Sequence, residues 1–220
     1  MSAPAAEPFG PVQRIAAGVL DVGYVDLGPP GGQAVLLLHG WPYDIHSYAD
    51  VALPLAATGY RVIVPYLRGY GTTRFRSDDA VRNGQQCVLA VDAIALMDAL
   101  GVGEAIVAGF DWGARTANVM AALWPERCRA MVSVSGYLIG SQQASQVPLA
   151  PDADLPDDQR ADHHARGDAN GASHPDPAAY AARFTDKYAH RTLTGGIGHN
   201  LPQEAPLDFV RAIEEVDSFA

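Results

Sequence analysis

Basic residues are scarce: 15 Lys and Arg stand against 25 Asp and Glu, a formal net charge of -10. Phosphate binding needs clustered cations, and no such cluster occurs, which argues against nucleic acid as a partner and against anionic membrane surfaces. Long apolar runs are missing too. The longest aliphatic run, Ala34 to Leu38, falls far short of the ~20 residues that cross a bilayer, and Met1 to Pro11 lacks the basic start and apolar stretch of a secretory signal. The expected location is cytoplasmic. Cysteine is limited to Cys87 and Cys128, too few for a disulfide framework, and both are expected as buried free thiols on helices. His163, His164 and His174 lie among aspartates, but adjacent histidines point apart and no metal-ligand spacing recurs, so neither metal nor cofactor is expected. No internal repeat is visible.

What remains suits one globular core. A chain of 220 residues that is 48% hydrophobic reads as a single domain, residues 1–220. Gln13 to Leu20 and Val22 to Leu27 read as two strands around a tight turn, closed by Gly28-Pro29-Pro30-Gly31-Gly32. Strands are then expected at 34–38, 60–66, 105–110 and 130–135, alternating with helices near 46–58, 78–100 and 114–125. Such alternation predicts an α/β fold with a mostly parallel sheet covered by helices on both faces.

From Gly140 to Arg166 the character changes. Closely spaced Pro148, Pro151 and Pro156, with Asp152, Asp154, Asp157, Asp158 and Asp162, predict an acidic loop. With a suitable codon choice, Ala161 to Arg166 read one base out of frame spells Pro-Thr-Ile-Thr-Leu, an apolar strand. A frame-shifted join is therefore one expected origin of this segment, which the coding DNA decides.

The chemistry-bearing stretch is Gly109-Phe110-Asp111-Trp112-Gly113. An apolar strand precedes it and a helical run follows, the setting of a nucleophile elbow with Asp111 as the attacking group. Small residues on each side let the helix start against the strand. Three other segments fall in order around it: Val35 to Pro42, which ends His39-Gly40-Trp41-Pro42; Arg68-Gly69-Tyr70-Gly71; and Gly195-Gly196-Ile197-Gly198-His199, read as the end of a strand leading through 200–206 into a final helix. The order, nucleophile first and histidine last, matches the α/β-hydrolases. These motifs resemble the epoxide hydrolase and haloalkane dehalogenase branch of the α/β-hydrolase fold, over roughly residues 12–137 and 167–219. In that branch a helical cap and a seventh strand occupy the place of the 138–166 loop. Neither is recognisable in this sequence.

The resemblance implies a hydrolase acting on a small-molecule substrate. Asp111 attacks carbon to give an alkyl-enzyme ester, and His199 activates the water that hydrolyses it. The acid that orients His199 is expected at Asp168, although the position where the commoner pattern has its acid is Asn170, and Asp168 reads equally well as a turn residue; Asp176 is a distant third. The backbone N–H groups of Trp41 and Trp112 are the oxyanion candidates, and the Trp112 indole is the halide candidate or else a core residue. Arg115, one helical turn after Asp111, is either a carboxylate grip or a structural ion-pair partner. With no cap to supply phenols for epoxide opening, Tyr137, Tyr43 and Tyr70 are the substitutes. Two other readings stay open, a non-catalytic remnant and an esterase or lactonase; Asp111 disfavours the latter, which calls for Ser or Cys at the elbow.

Overall fold

The computed structural model describes residues 10–136, 181 and 187–219 of the chain. The chain divides into two compact units, residues 1–138 with 200–220, and residues 139–199.

The first unit is built on a sheet. Strands β1 (Gln13–Ala17), β2 (Leu20–Leu27), β3 (Ala34–Leu38), β4 (Arg61–Pro65), β5 (Arg74–Phe75), β6 (Ala105–Phe110) and β7 (Cys128–Val134) form it. Their order is β1-β2-β4-β3-β6-β7, with β5 paired to β2. The pairs β3 with β4, β3 with β6 and β6 with β7 are parallel, and the pairs made by β2 are antiparallel.

Side-chain alternation along the central strands makes two cores. Leu36, Leu38, Ile63 and Val107 point to one face, where helices α2 (Gln86–Ala99) and α3 (Trp112–Leu123) cover them with Leu89, Ala93, Leu96, Met97, Ala117 and Met120. Val35, Leu37, Val62, Val64, Ile106 and Phe110 point to the other face. There α1 (Ala49–Ala57) contributes Val51, Ala52 and Leu55, and the final helix α5 (Pro206–Asp217) contributes Phe209, Val210 and Ile213. Because parallel strands are buried on both faces, their sequences read as unbroken apolar runs. Each fully buried Leu, Ile or Phe in these layers contributes about 1.5–3 kcal/mol from area burial.

Several expected boundaries move. The first hairpin turns at Gly18, with φ 55°, and Val19, so β2 begins at Leu20. The helix expected from 78 begins at Gln86, because 78–85 follows the surface as a loop whose Asn83 is held by Arg68. Cys128 opens β7 instead of ending a helix; it is half-buried and Cys87 is exposed, and both are free thiols. Burial raises the Cys128 thiol to about 11.

Within the second unit, residues 187–199 carry neither helix nor strand. Gly195 and Gly196 both adopt positive φ, 99° and 82°, which ladder pairing does not permit. The strand expected to end at His199 is therefore absent. The segment expected as an acidic loop lies outside the described residues.

Among the described residues no helix is long and apolar enough to cross a membrane.

Candidate active site

The elbow forms between the end of β6 and the first residue of α3. Asp111 takes φ 52° and ψ -117°, a conformation that costs a non-glycine residue roughly 1–3 kcal/mol. Neighbouring bonds hold it there. Its N–H donates to the Val134 carbonyl at 3.1 Å, and its carbonyl accepts from Arg115 N–H at 3.0 Å, the first bond of α3.

Three glycines make this turn possible by their missing side chains. A Cβ on Gly113 would collide with the Leu38 carbonyl, and one on Gly109 with the Gly113 backbone. On Gly40 it would lie 2.7 Å from Asp111 Cβ and 3.0 Å from Phe110 Cε2. Helix α3 can thus start directly against β3, with the His39-Gly40 backbone closed down on the carboxylate.

That closure brings Trp41 to Asp111. The Trp41 backbone N–H donates to Asp111 Oδ1 at 2.8 Å. The same peptide group is held at its other end. His39, fully buried, accepts the Leu67 N–H at Nε2, at 3.1 Å. Its proton must therefore sit on Nδ1, 3.1 Å from the Gly40 carbonyl oxygen, to which it donates. Burial lowers the His39 pKa to about 4, against smaller upward effects of the Gly40 bond and Asp44, so the ring is neutral at ordinary pH. A buried histidine in this loop was not singled out by its sequence context; the signal available was its position between an apolar strand and the Gly40-Trp41 turn.

Other groups line the same end of the sheet. The Tyr70 ring meets His39 edge-on, with centroids 4.7 Å apart. Tyr43 packs on Phe110 at 5.6 Å, and the buried Tyr48 hydroxyl donates to the Leu38 carbonyl at 2.8 Å. Arg68 makes a two-pronged bond to Asp92, at 2.6 and 2.8 Å, which ties the 68–71 turn to α2. Asn200, 4% exposed, donates from Nδ2 to Ser47 Oγ at 3.1 Å and to Gln203 Oε1 at 2.8 Å. It anchors the short helix α4 (Leu201–Glu204) to the turn before α1, a role its sequence setting did not reveal.

The other expected site residues fall as follows. Trp112 is half-buried against the core under α2 and α3, with the Arg115 guanidinium 5.4 Å from its ring. The Trp112 side chain packs as its core alternative has it, and the Trp112 N–H lies at the start of α3. His199, half-buried, ends the second unit. Asp168, Asn170, Asp176 and Tyr137 lie outside the described residues. Among the described residues no cluster of His, Cys, Asp and Glu could hold a metal ion.

Comparison with known proteins agrees with the topology. Residues 33–175 match the α/β hydrolase fold family. Epoxide hydrolase B of Mycobacterium tuberculosis is 38% identical over 105 residues, 47% of this chain and 29% of that protein. Epoxide hydrolase 2 of Siraitia grosvenorii is 35% identical over 108 residues, 49% of this chain and 34% of that one. The chain thus spans about a third of the length of the curated relatives it matches. A crystal structure of a candidate epoxide hydrolase from Klebsiella pneumoniae superposes with a TM-score of 0.84 at 42% identity, covering 96% of this chain and 98% of that one. A sheet in the order β1-β2-β4-β3-β6-β7, a strained Asp111 elbow between β6 and α3, and these matches lead to one conclusion: the chain belongs to the α/β-hydrolase fold family.

Proposed function

We propose that this chain is a hydrolase that opens a small epoxide through an ester on Asp111. The observation that carries the reading is the Trp41 N–H on Asp111 Oδ1 at 2.8 Å. A carboxylate pinned through one oxygen presents the other, Oδ2, for in-line attack on carbon, and the pinning donor is already where negative charge will develop in the next step.

In the first step Oδ2 bonds to an epoxide carbon as the ring C–O bond breaks. In the second, water activated by His199 attacks the ester carbonyl. The oxyanion then formed on Oδ1 receives the Trp41 N–H and the N–H of Trp112 at the start of α3. Collapse releases the diol and restores the carboxylate. Asp168, or the amide Asn170, would orient His199. Epoxide is preferred to alkyl halide as the substrate class because the curated relatives cited above carry epoxide hydrolase names. The aspartate at the elbow in place of serine speaks against an esterase.

Turnover of styrene oxide in ¹⁸O-labelled water tests the scheme. Water attacks the ester carbonyl, so label is expected in the Asp111 side chain of the recovered peptide, and replacing His199 by Gln should trap the ester as added mass on Asp111. Diol formation without label in Asp111, or no reaction with any of a panel of terminal and internal epoxides, would overturn it.

A further inference from the structure

Only the second step of the ester scheme uses His199. Asp111 attacks carbon without a base, whereas hydrolysis needs an imidazole that takes a proton from water, and that imidazole requires its own anchor. We propose that Asn200, tethered to Ser47, is the positioning residue for His199. This rests on the reading of His199 as the base given above.

The bonding of Asn200 departs from what its place in the chain calls for. It directly precedes the first residue of α4, where an asparagine side chain ordinarily accepts a backbone N–H of the first turn. Here the side chain makes no such bond. The N–H groups of Gln203 and Glu204 go instead to the Asn200 backbone carbonyl, each at 3.0 Å. The side chain is turned to donate, from Nδ2 to Ser47 Oγ at 3.1 Å and to Gln203 Oε1 at 2.8 Å. Its Oδ1 is buried with no hydrogen-bond partner among the described residues, an arrangement that costs stability. An aspartate would cap the helix as well and could not donate, so capping does not account for the amide. Donation to Ser47 does.

The peptide that joins His199 to Asn200 is held too. Its N–H donates to Glu204 Oε1 at 3.2 Å. A trans peptide is planar and separates its two Cα atoms by about 3.8 Å, so fixing Asn200 and the tilt of that plane fixes the His199 Cα. Residue 199 ends the second unit and residue 200 reopens the first. The bonds to Ser47, Gln203 and Glu204 all lie within the first unit, and they set the point from which His199 is carried.

The other end of the tether stands on the frame of the elbow. Ser47, 5% exposed, lies in the single turn Ile45–Tyr48 ahead of α1. Ile45 and Tyr48 of that turn are fully buried, and the Tyr48 hydroxyl donates to the Leu38 carbonyl at 2.8 Å. That carbonyl is the group on which Gly113 closes, and Leu38 stands in register with Gly109. One hydrogen bond across 153 residues of sequence therefore joins Asn200 to the strand end that shapes the Asp111 turn.

The test is single-turnover reaction with styrene oxide, in which peptide mass follows the Asp111 ester as it rises and decays in the unaltered chain, His199→Gln, Asn200→Ala and Ser47→Ala. Loss of the tether in either alanine variant is expected to leave ester formation within about threefold. Ester decay should slow by about tenfold to a hundredfold, the cost of a base displaced by an ångström or so. A residue needed only for the fold would slow both steps together. Equal slowing of formation and decay, or an unchanged decay, overturns the assignment. Ser47→Ala removes a single hydroxyl and decides by the same criteria if Asn200→Ala does not fold. If His199→Gln forms the ester and its decay is not slowed, the reading of His199 as base is overturned, and this inference with it. Failure of the unaltered chain to form any ester instead overturns the ester reading, and both with it.

Discussion

The backbone N–H of Trp41 donates to Oδ1 of Asp111 at 2.8 Å across 70 residues of sequence. Neither partner reaches the other by chance of a flexible side chain. Asp111 is fixed by the strained φ of its own backbone, and the Trp41 peptide is fixed by His39 at its carbonyl end. The nucleophile candidate and its donor are thus set by main chain on both sides, the arrangement that keeps a charge-stabilising group in place without reorganisation during reaction.

Asp111→Asn separates this geometry from its chemistry. The amide Oδ1 can still accept the Trp41 N–H, so the melting midpoint should hold or rise. The amide is no nucleophile, and epoxide turnover should fall by at least about a thousandfold. Parallel thermal unfolding and diol formation assays check both halves. Retained turnover would remove Asp111 from the mechanism.

Gly113→Ala asks how tightly the elbow is closed. Its Cβ would meet the Leu38 carbonyl, a backbone atom that cannot swing aside. The cost is expected at about 3 kcal/mol or more, the upper part of the range for overpacking. Ala at Gly31, where a Cβ would meet nothing, is the control and should change stability by no more than roughly 0.5 kcal/mol. Denaturant unfolding of the two variants gives the comparison, and equal midpoints would refute the close-approach account.

Arg68 and Asp92 make the third case. Their side chains are 6% and 14% exposed, so Asp92→Ala leaves a guanidinium largely out of water without its bidentate partner. Removing one member of such a pair costs about 3–5 kcal/mol. Because Arg68 also donates to the Asn83 carbonyl and Oδ1, both at 2.9 Å, protease cleavage within 76–85 should accelerate in the same variant. Unchanged stability would mean that the pair is not paired in solution.

The elements most legible in the sequence were those whose burial is simplest. β3 and β6 fall on the expected residues because central parallel strands are apolar on both faces, and the Asp111 elbow was readable because Gly109 and Gly113 have steric duties. Legibility failed where tertiary bonds override local pattern. The 78–85 loop has composition that a helix could use, yet Arg68 draws Asn83 away. The strand expected to end at His199 fails to form where Gly195 and Gly196 turn with positive φ. His39 and Asn200 passed unread because each acts through partners 28 and 153 residues distant, Leu67 and Ser47, and local spacing carries no trace of such pairs.

His39 yields a pH dependence whose sign follows from its bonding. Its folded pKa, about 4, lies below the usual 6.5, so between those values the unfolded chain binds a proton that the folded chain refuses. Stability from this group is therefore full above pH 6.5 and declines as pH falls toward 4, by on the order of 3 kcal/mol in all. Protonation would also place a second N–H at Nε2, opposite the Leu67 N–H, and break the bond between the ring and the chain after β4. His39→Gln removes the titration. Urea midpoints measured from pH 7.5 to pH 4.5 should fall more steeply for the unaltered chain than for the variant, and identical slopes would show that the ring does not remain neutral in the folded protein.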